Sequence, residues 1–290
     1  MLFIIPGSLL VSGVTIAISA FIMEGPDILS EGGLQGWLSE ISLTRSGLFI
    51  LIAPGQAFFL CTAFGLAALS SEPLSKRLGL VRPRGSIKTW ILLALSAPAI
   101  QFVSLLFAGL FFDTNEPSEH LQMISGLITG QSGFIGLSLV FLLAAIAPAL
   151  SEELFFRGIV RVGLSRRHRF MGAIFLPALI FAAVHMDPMH STAVFPLGLW
   201  FGCLAWWSGS TLPAIGAHLV NNVFAILLAL QASAIEAGPQ LDEAAELTGQ
   251  LSADMENLGI FAISSYGLGF LCLLVGLSSL KRDRLSTNTD

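Results

Sequence analysis

The sequence predicts an all-α, polytopic membrane protein: one membrane domain over residues 1–290, built as a bundle of about eight transmembrane helices. Composition is the first observation, since 54% of the residues are hydrophobic and 11% are charged, whereas a soluble domain has about 25% charged residues. The second is the division of the chain into long apolar segments. The third is the clustering of Lys and Arg in alternate loops. Together these observations exclude a soluble globular protein.

Eight apolar segments are long enough, or nearly long enough, to cross a bilayer, which takes about 20 consecutive apolar residues. To within a few residues, the predicted spans are 2–23, 47–70, 88–112, 133–156, 170–187, 190–208, 211–235 and 258–280. No basic region precedes the first apolar run, so we expect this span to be retained rather than cleaved as a signal peptide.

The polar connection before the last span has a helical pattern of its own. Between residues 241 and 258 apolar residues recur at spacings of three and four, and acidic residues occupy the other positions. This period is typical of an amphipathic helix. We therefore expect a short helix at the membrane surface, separate from the eighth span.

The basic residues predict the orientation of the chain, because an excess of Lys and Arg marks the cytoplasmic side. Of the 14 Lys and Arg residues, only Arg45 lies outside three clusters. The clusters fall between spans two and three, where spans four and five join, and after span eight. If all eight spans cross, every cluster is on one side. We expect a multi-pass protein of the cell (inner) membrane with both termini in the cytoplasm.

Several polar residues lie inside the apolar runs of spans four, five and seven. They are Glu152, Glu153, His185, His218 and Asn222. A carboxylate at the centre of a membrane helix costs about 2.5–3.5 kcal/mol on insertion scales, so residues of this kind usually face a cavity or a partner. These residues are the candidates for a functional site.

The depth of these residues follows from a helical hairpin. If spans four and five turn near residues 166–169, Glu152 and His185 are almost equally far from the turn and lie at the same level, since both helices rise about 1.5 Å per residue. This requires helix four to continue into the arginine-rich stretch. His218 reaches the same level only if spans six and seven begin deeper in the membrane.

The spacing of the charged residues suggests a division of roles. Glu153 and Arg157 are four positions apart, in the favourable order for a helical ion pair, and such a pair can be purely structural. Glu152 points about 100° away around the helix, so it is left as a general base that can share a water molecule with His185.

His218 and Asn222 share one helical face, as interhelical hydrogen-bonding groups often do. Two hydrogen-bond donors there also suit a developing oxyanion. The chemistry that this set implies is attack of an activated water on an acyl carbon, as in amide hydrolysis.

A metal ion is an alternative use of the same side chains. Glu152, His185 and His218 are potential ligands of Zn²⁺, with a fourth position left for water. The HExxH spacing of many soluble metalloproteases is absent. The spacing therefore leaves both a metal-bound water and a water held by Glu and His open.

Three short motifs follow one another on or at the end of predicted spans four, five and seven. EELFFR fits EExxxR, FAAVH fits FxxxH and HLVNN fits HxxxN. In this order they resemble the CAAX protease and bacteriocin-processing family of intramembrane endopeptidases, also called CPBP, Abi or Rce1-like proteins. The resemblance covers a catalytic core of about residues 133–230. The flanking transmembrane segments, 1–130 and 236–290, have no matching motif.

The resemblance implies a helical bundle with a cavity open to the cytoplasmic side. It implies that Glu152 and His185 activate water, that His218 and Asn222 form the oxyanion hole, and that Glu153 and Arg157 support them. Family members have been described both as metal-dependent and as glutamate-dependent, so Zn²⁺ stays open. The expected partners are membrane lipid and a peptide or protein substrate at the membrane, which is prenylated for the eukaryotic relatives; no nucleic acid is expected.

Two other functions remain compatible with these residues. Intramembrane Glu and His also occur in ion- or proton-coupled transporters, although many transporters are built of repeats and the motifs are not repeated in this chain. A catalytically silent bacteriocin-immunity or scaffold protein is the other alternative. The intact Glu152, His185, His218 and Asn222 favour an enzyme over it.

Overall fold

The protein is an all-α, polytopic membrane protein, as predicted. The computed structural model describes residues 4–30, 32–236 and 244–287, and these ranges contain no β-strand. Six helical segments are long and apolar enough to cross a membrane. They are Leu10–Leu29, Arg45–Ala68, Ile87–Ala108, Gly133–Ser165, Leu212–Ile235 and Asp254–Arg284.

The helices follow one another with short connections. In chain order they are α1 (Ile4–Glu24), α2 (Gly33–Ser42), α3 (Arg45–Gly47), α4 (Ala53–Ala68), α5 (Leu74–Arg77), α6 (Ile87–Leu95), α7 (Ala97–Ala108), α8 (Glu119–Thr129), α9 (Gly133–Val140), α10 (Ala147–Glu153), α11 (Arg161–Phe170), α12 (Leu176–Ala183), α13 (Pro188–Ser208), α14 (Leu212–Glu236) and α15 (Ala244–Thr287). A 3₁₀ turn follows α1 at Gly25–Leu29, and π-helical segments lie at Leu48–Ile52, Phe141–Ile146, Leu154–Val160 and Met171–Phe175.

The predicted spans five and six differ from the other six. Span five corresponds to a shorter apolar helix, Gly172–Ala183. Span six lies within α13, which has 21 residues. This helix has three polar residues near its start, His190, Ser191 and Thr192, and it contains Pro196. All eight predicted spans therefore fall on helices, and a full crossing by spans five and six stays a prediction.

Within the described residues from Ala244 onward, the expected surface helix is not separate from the last span. From Ala244 onward the chain forms one helix of 44 residues that includes the last span. At about 1.5 Å per residue this helix is roughly 66 Å long, about twice the thickness of the hydrocarbon core. No proline lies in α15, so nothing in its backbone chemistry forces a break. Residues 237–243, which include the start of the predicted helix, lie outside the described residues.

Spans four and five form the predicted hairpin. The rings of Phe156 and Phe181 are 5.4 Å apart, a distance that requires the chain to reverse direction between them. The midpoint of this pair in the sequence falls within residues 166–169, which belong to the helix α11 (Arg161–Phe170), so a turn at these residues stays a prediction. Helix four also continues past the site, because its apolar segment runs to Ser165. Glu152 and His185 are thereby brought to the same level.

A buried aromatic cluster fills the space between the Glu152–Glu153 pair and the arginine-rich helix α11. Every residue of the π-helical segment Leu154–Val160 is buried, and Phe155 and Phe156 pack against Phe59, with ring centroids 5.2 and 5.5 Å apart. Gly158 lets this segment approach the backbone of the α5 connection closely. A Cβ at Gly158 would lie 2.9 Å from the carbonyl oxygen of Leu78.

This close approach predicts that Gly158→Ala destabilises the protein. The added methyl group meets backbone atoms, which cannot rotate away, and overpacking of this kind typically costs about 1–3 kcal/mol. Thermal unfolding of purified protein in detergent measures the effect. Gly163→Ala is the matched control on the next helical segment, because no atom lies within 4 Å of its added Cβ. Equal melting temperatures for the two variants would contradict this packing.

Candidate active site

The residues selected from the sequence converge on one cavity of about 890 Å³ within the bundle. Four of them line it: Glu152, His185, His218 and Asn222. The two others, Glu153 and Arg157, lie directly behind the cavity wall, where they are 0% and 1% exposed. The structure thus brings all six candidates together from α10, the π-helical segment after it, the end of α12, and α14.

The pair Glu153–Arg157 is completely enclosed. Arg157 Nη1 donates to Glu153 Oε1 at 2.7 Å, and Nη2 donates to the carbonyl oxygen of Gly198 at 2.9 Å. Gly198 permits this contact, because a Cβ there would lie 3.1 Å from the ring of Phe181. The side chain of Arg157 therefore fixes helix four against α13.

Aromatic rings surround the guanidinium group of Arg157. Its Cζ lies 4.7 Å from the ring centroid of Phe181, 5.5 Å from that of Phe201 and 5.9 Å from that of Phe156. A cation over aromatic faces is stabilised by the ring quadrupoles, more strongly when it is shielded from water. Phe181 is the first residue of the FxxxH pattern, and its position explains why an aromatic residue suits that position in this chain.

His218 lies between the two glutamates. Its Nδ1 is 3.0 Å from Glu153 Oε1, and its Nε2 is 4.0 Å from Glu152 Oε2. Phe201 stacks on the imidazole ring with centroids 4.9 Å apart and planes at 15°. Because the ionised carboxylate of Glu153 only accepts, Nδ1 carries a hydrogen, and Nε2 is directed toward Glu152. The depth condition for His218 is therefore met, and its contact with Glu153 is an addition to the sequence prediction.

His185 has a similarly fixed orientation. Its Nδ1 is 2.9 Å from the carbonyl oxygen of Phe181. A carbonyl oxygen only accepts hydrogen bonds, so Nδ1 is the donor and Nε2 of the neutral ring keeps its lone pair. The edge of the His185 ring contacts Phe181, with centroids 5.2 Å apart. One phenylalanine thus contacts both His185 and Arg157 and helps to position both.

Gln56 and Ser151 are site residues that the sequence reasoning missed. Gln56 Nε2 donates to Glu152 Oε1 at 3.0 Å, and the Ser151 hydroxyl contacts Gln56 Oε1 and, at 2.8 Å, the carbonyl oxygen of Ala147. Glu152 is therefore oriented by an amide from α4. The signal in the sequence was the presence of Gln56 within an apolar span, the same kind of signal that identified the histidines.

Two further histidines lie beside His185. The rings of His185 and His190 are 4.6 Å apart, and those of His190 and His120 are 5.7 Å apart. His120 and His190 lie outside the apolar runs that identified the other candidates, so the sequence did not select them; they lie in the first turns of α8 and α13 and line the cavity. The folding of the connections toward the bundle could not be derived from local spacing.

The cavity extends toward the end of the bundle that has acidic connections. Its outer wall includes Pro117, His120 and the stretch 186–190. The basic clusters lie beyond the buried aromatic cluster, at the other end. If the basic end is cytoplasmic, as the positive-inside rule predicts, the cavity opens on the opposite side; the expected opening on the cytoplasmic side therefore stays a prediction. Phenylalanine side chains fill the bundle between Glu153 and α11.

Part of the cavity wall consists of polar atoms without hydrogen-bond partners. They are Oε1 of Gln101, Oγ of Ser104 and Oδ1 of Asn221, all buried and unpaired within the described part of the chain. Asn221 also donates to Asn222 Oδ1 at 3.3 Å and lines the cavity with it. Buried polar groups are nearly always paired, so this wall suits a ligand that supplies hydrogen-bonding groups.

The positions of the candidate zinc ligands bear on the metal alternative. Within the residues that the structure describes, no group of three or more His, Cys, Asp or Glu side chains is positioned to hold a metal ion. Glu152, His185 and His218 line one cavity, but they do not fit a three-ligand zinc site in this arrangement. A role for Zn²⁺ therefore stays a prediction that this arrangement does not favour.

Comparison with protein families gives one result for the region of the site. The family model described as Type II CAAX prenyl endopeptidase Rce1-like matches residues 134–224. This segment begins in α9, ends in α14 and contains the six candidate residues. No curated protein and no solved structure matches the chain.

The enclosed ion pair predicts a specific pattern of stability. Arg157→Met leaves the Glu153 carboxylate buried without its cation, and breaking a buried pair in this way typically costs about 3–5 kcal/mol. The double variant Glu153→Gln/Arg157→Met leaves no unpaired charge and keeps an acceptor for His218, so it should be more stable than Arg157→Met. Equilibrium unfolding in mixed micelles measures both. A double variant as unstable as the single one would contradict the assignment.

Proposed function

From the match of residues 134–224 to the Rce1-like family model, we propose that this chain is an intramembrane endopeptidase that hydrolyses a peptide bond of a membrane-associated substrate. At the level of the family, this is a CAAX-type membrane protease. The observation that supports the proposal most strongly is the convergence of a carboxylate, two imidazoles and an amide on one cavity. These groups come from separate helices of a membrane-spanning bundle.

We propose that Glu152 is the general base. Its Oε1 accepts a hydrogen bond from Gln56, and its Oε2 is directed toward the cavity side of His218. A water molecule between Glu152 and Nε2 of His185 would lose a proton to the carboxylate as its oxygen attacks the acyl carbon. The same carboxyl group would then return the proton to the leaving amine, which breaks the carbon–nitrogen bond.

We propose that His218 and Asn222 stabilise the oxyanion of the tetrahedral intermediate. The amide of Asn222 is a donor at the cavity wall. His218 would be the second donor in the doubly protonated form, which is present before the substrate reacts: Nδ1 donates to Glu153 and Nε2 donates into the cavity. Donors that are fixed before the reaction stabilise developing charge without reorganisation. Arg157 and Glu153 act through this arrangement as positioning residues.

We propose that the unpaired polar wall binds the main chain of the substrate. An extended peptide in a site that excludes water needs hydrogen-bond partners for its N–H and C=O groups. Gln101 Oε1 and Asn221 Oδ1 are acceptors for N–H groups, and the Ser104 hydroxyl can donate or accept. Gln101 and Ser104 are three positions apart on α7, so they lie on one face of that helix. Because this wall would bind main-chain groups, it does not require that the substrate be prenylated.

The multi-pass membrane location follows from the helices and the family. We propose further that the membrane is the cell (inner) membrane and that both termini lie in the cytoplasm, on the basis of the Lys and Arg distribution. Membrane lipid and a peptide or protein substrate remain the proposed partners.

Glu152→Gln should abolish peptide hydrolysis without unfolding the protein. The substitution keeps the shape and the contact with Gln56 but removes the base, and loss of general-base catalysis typically lowers the rate about 10²–10⁴-fold. Cleavage of a panel of lipidated and unmodified peptides by purified protein in nanodiscs measures it, with unfolding temperature as the check on folding. Glu116→Gln, in the exposed acidic connection, is the matched control. Full activity of Glu152→Gln on any substrate that the wild type cleaves would overturn the assigned base.

Chelation tests the metal alternative separately. Since the three candidate ligands do not fit a zinc site, we expect cleavage by purified protein to persist after 1,10-phenanthroline treatment and dialysis. The bound zinc content, measured by mass spectrometry, should stay well below one per chain. Loss of activity that returns on addition of Zn²⁺ would show that Glu152, His185 and His218 close around a metal during turnover.

A further inference from the structure

A second cavity lies at the basic end of the bundle, and none of its lining residues belongs to the candidate active site. Its volume is about 750 Å³. The connection before α6, the start of α11, the end of α13 and the end of α15 together form its walls. The side chains that matter for its chemistry are Arg84, Arg161, Arg284, Trp206, Trp207 and Leu280.

The cavity has an excess of positive charge. Three arginines line it, and one carboxylate, Asp283, lines it with them. Asp283 Oδ2 already accepts hydrogen bonds from the Ser86 amide at 2.9 Å and from the Thr89 hydroxyl at 3.1 Å. Those bonds tie α15 to the start of α6. The three arginines outnumber the one carboxylate, so the lining of the cavity has a net positive charge.

Arg161 is the residue of this cavity whose hydrogen bonding is most clearly incomplete. Its side chain is buried, at 9% exposure, although it is cationic. Nε donates to the carbonyl oxygen of Arg157 at 2.8 Å, while the two terminal nitrogens form no hydrogen bond within the residues that the structure describes. A buried guanidinium group is normally paired, because its charge is costly to remove from water. The unpaired nitrogens border the cavity, where an anion would complete their hydrogen bonding.

The surroundings identify the kind of anion. Trp206 is 39% exposed, and paired tryptophans at a helix end are typical of the membrane–water interface. The guanidinium of Arg284 lies 5.8 Å from the Trp207 ring, and Leu280 adds an apolar surface. Basic pockets between transmembrane helices on the cytoplasmic side suit phospholipid head groups. The apolar flank suits glycerol and proximal acyl carbons, which inorganic phosphate lacks.

We propose that this cavity binds the phosphate group of an anionic phospholipid, with Arg161 and Arg84 as its main ligands. Arg161 approaches the phosphate from the cavity floor. Arg84 approaches from the rim, where its side chain packs against Gly209: a Cβ at Gly209 would lie 3.3 Å from Arg84 Nε. The proposal is independent of peptide hydrolysis.

Quenching of tryptophan fluorescence by brominated lipid tests the proposal. Purified protein in phosphatidylcholine nanodiscs is compared with protein in nanodiscs that contain increasing fractions of phosphatidylglycerol brominated on its acyl chains. Brominated phosphatidylcholine is the reference for lipid that surrounds the bundle without specific binding. We expect phosphatidylglycerol to quench at a lower mole fraction, because three of the five tryptophans, Trp90, Trp206 and Trp207, line the cavity.

Variants identify the site within the protein. Arg161→Gln and Arg84→Gln should each weaken phosphatidylglycerol binding about fivefold, the effect expected for one interfacial arginine. Arg82→Gln is the matched control, since Arg82 is exposed, lies two residues from Arg84 and does not line the cavity. Arg161 also contacts Arg157, so its variant can lose stability. Arg84→Gln does not share that contact and keeps the test valid.

Three results would overturn the proposal. Equal quenching by brominated phosphatidylcholine and phosphatidylglycerol would show that no anionic lipid is selected. Equal effects of Arg82→Gln and Arg84→Gln would show diffuse attraction instead of a site. Displacement of the brominated lipid by millimolar inorganic phosphate, or by an acidic peptide, would assign the cavity to a soluble anion or to a peptide.

Discussion

The carboxylate of Glu153, with 0% exposure, is the constraint on which the rest of the site depends. A charge enclosed in this way needs a cation and hydrogen-bond donors around it, since an unpaired buried charge is very costly. Arg157 supplies the cation and binds Gly198 on α13, and His218 supplies a donor from α14. One buried charge therefore joins three helices, and the geometry of the cavity follows from their junction.

Aromatic packing complements this junction. Phe181 contacts both the guanidinium of Arg157 and the imidazole of His185, and Phe201 stacks on His218. Phenylalanine gives these polar groups a wall that excludes water but does not compete for their hydrogen bonds. The same side-chain type fills the bundle below Glu153, so the cavity extends in the other direction, toward the acidic connections. A substrate that enters from the basic end would have to displace that packing.

The sequence was most informative where the polarity of a residue could be compared with the membrane around it, or where helix geometry fixed its depth. Polar residues inside apolar runs identified the site, and equal rise per residue placed Glu152 level with His185. Contacts between segments distant in the chain could not be derived in this way: Gln56 lies 96 residues from Glu152, and no local spacing relates them. The α15 helix was divided incorrectly, because the amphipathic period before the last span does not by itself end a helix.

The central claim is that Glu153 fixes the ring of His218 by holding its Nδ1 hydrogen. Solid-state ¹⁵N NMR of histidine-labelled protein in lipid, with the His218 signal assigned by its absence in His218→Gln, measures this directly. We expect Nδ1 of His218 to be protonated and hydrogen-bonded in the wild type, and the ring to populate both tautomers in Glu153→Ala. An unprotonated Nδ1 in the wild type, with the hydrogen on Nε2 alone, would contradict the account.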